Sequence, residues 1–210
     1  MNRKILHSFL WLLALCIVLP GAVRADSGSP DELVKGVTEE VLSILRQDKG
    51  IQSGNKQRAM ALIEQKVAPH FDFARMTSLA VGRAWQQADA KQREALIGEF
   101  HTLLVRTYAN SLTAYRDQTV SFKPSKQTGD EVLVRSQINK PGGQPIPLDY
   151  SLSRSSGSWK VFDVTVADIS LVTNYRSSFA NEVEKGGVPG LIKALQEKNR
   201  KGVTDQPPAS

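Results

Sequence analysis

The residues able to carry acid–base or metal chemistry are few and widely spaced. Beyond the first 25 residues the only histidines are His70 and His101, and neither has a partner at metal-ligand spacing. A zinc or copper site would therefore have to be built largely from carboxylates. A serine triad would also need one of these histidines, and the chain has no G-x-S-x-G motif. The pattern argues against both kinds of catalysis.

Two carboxylates fall inside predicted strands, where acidic residues are less expected. Alternation turns Asp149 away from the apolar face of its strand, so solvent or a cross-strand partner explains it. Asp163 is the odder residue, because it alternates with Trp159 and Val161. The position favours a structural hydrogen-bonding role for Asp163.

Residues 1–25 are predicted to be a signal peptide. Arg3 and Lys4 precede an apolar stretch over 5–19, and positions 23–25 offer small residues for cleavage. The stretch is shorter than the roughly 20 residues that span a bilayer, and an uncleaved anchor is the alternative. The single cysteine, Cys16, lies in this stretch, so the mature protein would have neither a disulfide nor a thiol nucleophile.

Charge and length narrow the class of protein further. The chain has 27 basic and 21 acidic residues, and removal of Arg3, Lys4 and Arg24 leaves 24 against 21. This mildly cationic, mixed surface argues against nucleic acid as a partner. About 185 residues can bury one core without disulfides. We predict a single domain over 26–198 and a disordered polar tail over 199–210.

Helical signals dominate the first half of the mature chain. Ser29, Asn55, Asp72 and Asp89 each precede apolar residues at helical spacing and are predicted N-caps. The helix that begins after Asp89 is the longest, with an apolar face continuing to Tyr115.

After Tyr115 the apolar period changes from about 3.6 to 2, which indicates strands. Strict alternation over 146–152 lies between turns at 141–143 and 155–157, and a further strand runs to Val166. Helical spacing returns at Ile169 and is interrupted by Gly186 and Gly187. Helices, then strands, then helices predict an α+β fold with helices packed on a curved, four-stranded antiparallel sheet.

Three ordered motifs resemble one family. They are PHFDF at 69–73, the helix face over 100–115, and WKVFDV at 159–164 followed by SLVTNYR at 170–176 and the glycine pair. Together they are similar to the MlaC or toluene-tolerance family of periplasmic phospholipid-binding proteins. One departure is Asp168, where the resemblance leads us to expect glycine.

The resemblance implies a cone-like fold, in which helices close over the sheet around a deep apolar pocket for acyl chains. It implies a periplasmic carrier, not an enzyme, that shuttles glycerophospholipids to maintain the lipid asymmetry of the outer membrane. The implied partners are an outer-membrane lipoprotein-porin complex and an inner-membrane ATP-binding-cassette (ABC) transporter complex with its substrate-binding component. The cargo is phospholipid, and no cofactor or metal is implied.

Apolar faces alone indicate core packing, but with the resemblance a subset of these residues is expected to line the pocket. A headgroup would sit at the mouth, and no residue is assigned to it. The alternative is an envelope enzyme of similar fold with Asp163 or a histidine acting in the pocket. The predicted lipid-binding residues are Met76, Leu79, Leu104, Tyr108, Leu112, Val132, Val134, Ile146, Leu148, Tyr150, Val164, Val166, Ile169, Val172 and Tyr175.

Overall fold

The computed structural model describes residues 28–201. The predicted signal peptide, and positions 202–210 of the predicted tail, lie outside the described residues. None of the helices within 28–201 combines the length and apolar character that crossing a bilayer requires.

Five helices form the first half of the described chain, and side-chain caps set where they begin. Ser29, Asn55, Asp72 and Asp89 each accept a backbone N–H from the first turn that follows, as predicted. The helices are α1 (Pro30–Gln47), α2 (Lys49–Gln52), α3 (Lys56–Leu62), α4 (Phe73–Val81) and α5 (Ala90–Thr113). A π-helical turn (Ile63–Val67) and two 3₁₀ segments (Ala68–His70 and Gly82–Gln87) join them.

The second half is an antiparallel meander followed by α6 (Leu171–Lys201). The strands are β1 (Thr119–Thr128), β2 (Glu131–Asn139), β3 (Ile146–Ser155), β4 (Ser158–Val166) and β5 (Ile169–Ser170), paired in chain order. The predicted α+β class is confirmed. The sheet has a fifth, two-residue strand where the spacing predicted the start of a helix. The Ser170 hydroxyl caps α6 by accepting the Thr173 N–H at 3.0 Å.

A two-residue turn connects β4 to β5. Val166 pairs with Ile169, and both intervening residues have positive φ, 49° at Ala167 and 64° at Asp168. Tight hairpins of this kind need left-handed backbone at both central positions, and glycine adopts it without steric cost. The geometry explains why glycine is the expected residue at position 168.

Replacing Asp168 with glycine is therefore expected to stabilise the protein by about 1 kcal/mol, because left-handed backbone costs a non-glycine residue about 1–2 kcal/mol. For a domain of this size that corresponds to a rise of roughly 2–4 °C in Tm. Asp130→Gly is the matched control, since Asp130 lies in the β1–β2 turn without positive φ. Thermal unfolding should show stabilisation by Asp168→Gly alone, and equal shifts in the two variants would contradict the explanation.

The end of α6 corrects the predicted domain boundary. Asn199 is 6% exposed, and its side-chain amide donates to the Glu99 carbonyl and carboxylate at 2.9 and 2.7 Å. Arg106 donates to the Asn199 carbonyl. These contacts fasten the last turn of α6 to α5, so the prediction of disorder is wrong for 199–201.

Buried side chains form three clusters, and α5 contributes to two of them. The helical core joins α4, α5 and α6 through residues such as Met76, Phe100 and Phe179. The α1–α5 cluster includes Leu45 and Tyr115 at the carboxyl ends of these helices. The third, the sheet core, packs the start of α1 against β2, β3 and β4. A cavity lies beside the last two clusters.

Candidate functional site

An elongated cavity of about 390 Å³ lies between α1, the last turns of α5 and the sheet. This volume lies within the range of about 300–1,000 Å³ that is usual for small-molecule sites. Most of its wall is aliphatic or aromatic. The lining residues are Leu33, Val34, Val37, Thr38, Val41, Leu42, Leu45, Val67, His70, Phe71, Ser111, Leu112, Tyr115, Gln118, Val120, Ile138, Lys140, Ile146, Leu148, Tyr150 and Val161.

Helix α1 forms one wall of the cavity because its apolar residues recur at helical spacing. Leu33, Val37 and Val41 follow one another at intervals of four residues, lie on one face of the helix and are half-buried. Val34 near one end and Leu45 near the other are fully buried, in the sheet core and the α1–α5 cluster respectively. Helix α1 is thus anchored near both ends, and its middle turns face the cavity.

The sheet forms the opposite wall. Strand register sets Val120, Ile138 and Ile146 side by side on β1, β2 and β3, and alternation continues the wall through Leu148 and Tyr150. All five lie on the apolar face of the sheet, yet they are only half-buried. An apolar residue on a packed sheet face would be fully buried, so their partial exposure marks the cavity surface.

The titratable groups on the wall are mainly neutral at physiological pH. The Tyr150 hydroxyl is hydrogen-bonded to Thr38 on α1, and burial raises the pKa of Tyr150 to about 12. Burial, and secondarily the charge of Lys160, lowers the pKa of His70 from its ordinary value of 6.5. Both shifts favour the uncharged form, so among the lining residues only Lys140 carries a charge.

Four of the predicted lipid-binding residues line this cavity, namely Leu112, Ile146, Leu148 and Tyr150. The other eleven lie elsewhere. Met76, Leu104, Val172 and Tyr175 belong to the helical core, and Val132, Val134, Val164 and Val166 to the sheet core. Tyr108 packs against all three clusters, whereas Leu79 and Ile169 are 39% and 40% exposed.

Asp163 lies in β4, and its side chain is hydrogen-bonded to the start of α6. Its carboxylate accepts the Ser170 hydroxyl at 2.6 Å and the backbone N–H groups of Val164 and Val172 at 2.9 and 3.1 Å. This is the hydrogen-bonding role favoured by the sequence, and Asp163 does not line the cavity. The residue offers no support for the alternative of an enzyme.

His101 is also remote from the cavity. Its ring packs on Phe73 with centroids 4.2 Å apart, and its Nε2 lies 3.1 Å from the Glu64 carboxylate. Only His70 among the candidate bases reaches the cavity wall. Within residues 28–201, no group of three or more His, Cys, Asp or Glu side chains is arranged to hold a metal ion.

Sequence reasoning missed the contribution of α1 to the site. The apolar face through Leu33, Val37 and Val41 is plain in the sequence, but periodicity does not tell which surface it faces. The same holds for Val120 and Ile138, one at the start of β1 and the other at the end of β2. Strand pairing brings these two residues together with Ile146, and the residues near them in the sequence do not predict that pairing.

Helices closing over an antiparallel sheet around an apolar cavity define a small-ligand-binding protein with a cone-like α+β architecture. The family model described as MlaC protein matches residues 35–197. The chain therefore belongs to the MlaC family, and the resemblance seen in the sequence motifs is confirmed.

Two curated relatives match over most of their own length. One is the intermembrane phospholipid transport system binding protein MlaC of Haemophilus influenzae, 23% identical over 196 residues, with 89% of this chain and 92% of that protein covered. The other is the toluene tolerance protein ttg2D of Pseudomonas putida, 25% identical over 178 residues, with coverages of 84% and 82%.

A solved structure is also similar. It is that of the phospholipid-binding protein from Ralstonia solanacearum in complex with a phospholipid. The TM-score is 0.77 at 37% sequence identity, with 83% of this chain and 98% of that chain covered.

Proposed function

We propose that this protein is a phospholipid carrier that holds acyl chain in the cavity between α1 and the sheet. The observation that carries the proposal is the elongated, almost wholly apolar cavity. Such a wall favours a hydrocarbon chain, because it offers few hydrogen-bond partners to a polar ligand. Membership of the MlaC family supports it. So do the names of the relatives, one a phospholipid transport binding protein and one a protein solved with bound phospholipid.

The size of the cavity sets the energy scale. A methylene is similar in size to a water molecule, which takes about 30 Å³ of the liquid, so the cavity holds roughly 13 such units. At about 0.8 kcal/mol per methylene, burial of that chain length from water contributes about 10 kcal/mol. Release into water is therefore strongly unfavourable, whereas transfer to a membrane keeps the chain buried and is near balance. That asymmetry suits a carrier.

The same volume accommodates about one acyl chain, although a glycerophospholipid has two. We therefore propose that α1 moves away from the sheet when the second chain enters. The middle turns of α1 face the cavity, and its buried contacts are concentrated near Val34 and Leu45. No residue of α1 belongs to the helical core, so outward movement of α1 would break the contacts of Val34 and Leu45 but leave that core intact.

The proposed route of transport runs between the outer and inner membranes. We infer a periplasmic shuttle that exchanges lipid with an outer-membrane lipoprotein-porin complex and with an inner-membrane ABC transporter complex and its substrate-binding component. The predicted signal peptide and the intermembrane transport name of the Haemophilus influenzae relative support this route. The proposed role is binding and transfer without chemical change to the lipid.

The test is extraction of the purified protein with organic solvent, followed by mass spectrometry. We expect about one glycerophospholipid per protein, intact in both ester bonds. Recovery of lysolipid or free fatty acid in its place would favour the enzyme alternative. An extract without lipid, obtained after the protein has been incubated with phospholipid vesicles, would overturn the proposal.

A further inference from the structure

The cavity runs along the sheet and has two distinct ends. One end lies at Val120, Ile138 and Ile146, which are paired across β1, β2 and β3. The other lies at Val161, which pairs with Leu152. Six residue steps along β3 separate Ile146 from Leu152, and at about 3.3 Å per residue the ends are roughly 20 Å apart. One leaflet of bilayer hydrocarbon is about 15 Å thick, so an extended acyl chain fits along this length.

Burial distinguishes the closed end from the mouth. At the Val161 end, Val161 and Val34 are 3% and 5% exposed. At the Ile146 end, Val120, Ile138 and Ile146 are half-buried, and Lys140, which directly follows β2, is one of the two exposed residues of the lining. The cavity therefore opens to solvent beside Lys140.

The mouth carries positive charge that the protein itself does not neutralise. The Lys140 side chain makes no hydrogen bond or ion pair with the described residues, although its backbone carbonyl accepts the Gly143 N–H at 3.0 Å. Lys140 follows β2 next to Gln118, which precedes β1. Two further cations flank this end. Arg46 donates to the Tyr115 hydroxyl at 3.2 Å, and Arg116 donates to backbone carbonyls. Asp117 is the acidic residue beside them in the chain, which leaves the mouth net cationic.

The cations near the closed end already have partners. Lys160 donates to the Pro69 carbonyl, and Lys66 pairs with Glu40 at 2.6 Å. His70, the polar lining residue at this end, is held in its neutral form by burial. An anion would gain little here and would have to be desolvated, which is costly without a partner.

Resting on the proposed function, we infer that Lys140 binds the phosphate of the lipid at the mouth, with Gln118 beside it, while the acyl chain points toward Val161. The phosphodiester is common to all glycerophospholipids, so this contact selects for phospholipid over uncharged diacylglycerol and tolerates different headgroups. An exposed lysine suits that task, because it presents a mobile point charge without imposing a fixed geometry.

The first test compares charge reversal at Lys140 with the same reversal at Lys126, an exposed residue of β1 that does not line the cavity. Delipidated protein is incubated with vesicles containing equal amounts of phosphatidylglycerol and diacylglycerol of matched chains, and the bound lipids are extracted and quantified. We expect Lys140→Glu to lower the ratio of phospholipid to diacylglycerol about tenfold and Lys126→Glu to leave it unchanged. Equal ratios in both variants would overturn the inference.

A second test locates the headgroup directly. A phospholipid with a nitroxide on its headgroup should broaden amide resonances of residues 138–143 in the loaded protein. Broadening centred on residues 68–72 would place the phosphate at the closed end and refute the assignment. Excess inorganic phosphate should not displace the labelled lipid, because the acyl chain provides most of the affinity; displacement would mean that the site binds free phosphate instead.

The two proposals fail in different ways. If wild-type protein takes up no phospholipid from vesicles, the carrier function itself is wrong. If it takes up phospholipid but Lys140→Glu is indistinguishable from Lys126→Glu, only the position of the headgroup is wrong. Thermal unfolding of both variants confirms that the comparison is between folded proteins.

Discussion

Leu148→Trp and Leu112→Trp are each expected to reduce bound phospholipid from about one molecule per protein to less than about a tenth of that. Both side chains line the cavity from opposite walls, Leu148 on β3 and Leu112 on α5. An indole at either position occupies volume that roughly 13 methylene-sized units would otherwise fill. Bound lipid is measured by extraction and mass spectrometry after incubation with vesicles.

Matched controls come from Leu79→Trp and Ile169→Trp. These positions also carry large aliphatic side chains, but they are exposed and do not line the cavity. They should retain lipid at the wild-type level. All four variants should remain folded, because none of the four side chains is fully buried, and such positions tolerate added volume better than a close-packed core does. Loss of lipid in Leu79→Trp but not in Leu148→Trp would mean that the acyl chain lies outside the cavity described here.

Loaded protein is expected to retain a long-chain phospholipid through extended dialysis and to lose it within minutes to hours when acceptor vesicles are added. Burial worth about 10 kcal/mol corresponds to a Kd between micromolar and nanomolar for release into water, from a single chain. A second buried chain would tighten it further. The measurement uses radiolabelled phospholipid and compares dialysis against buffer with dialysis against buffer containing vesicles.

The control for that experiment is a phospholipid of the same headgroup with six-carbon chains. About five methylenes per chain contribute roughly 4 kcal/mol, so this lipid should leave during dialysis against buffer alone. If long- and short-chain lipids were lost at the same rate without vesicles, the acyl chain would not be the part of the lipid that the protein holds. Retention of the long-chain lipid even with vesicles present would argue for storage rather than transport.

Local signals predicted most of the elements correctly. Asp89 with Gln92 forms the reciprocal capping box that opens α5, and Asn55 caps α3 by accepting the Arg58 N–H. In the same way, the alternation over 146–152 identified β3 and its inward face. Each of these features depends on residues within about four positions of one another, which is why the sequence is sufficient to predict them.

Features that depend on distant residues escaped prediction. Ile169 begins a strand because Val166 is available to pair with it across a left-handed turn, although its neighbours have helical spacing. Asn199 is ordered because Glu99 and Arg106, about a hundred positions earlier, meet it on α5. In a polar segment without those contacts, disorder was the reasonable expectation.

The sequence by itself determined the types and starting points of most of the elements, the α+β class and, through ordered motifs, the family. It also determined which face of each element is apolar. Only the tertiary structure decided which apolar faces pack into a core and which enclose space, so that Met76 is in the helical core while Leu148 faces a cavity. The physical reason is that a packed core and a cavity wall both exclude polar side chains. Hydrophobic periodicity therefore identifies an apolar face but does not show whether that face meets side chains or a cavity.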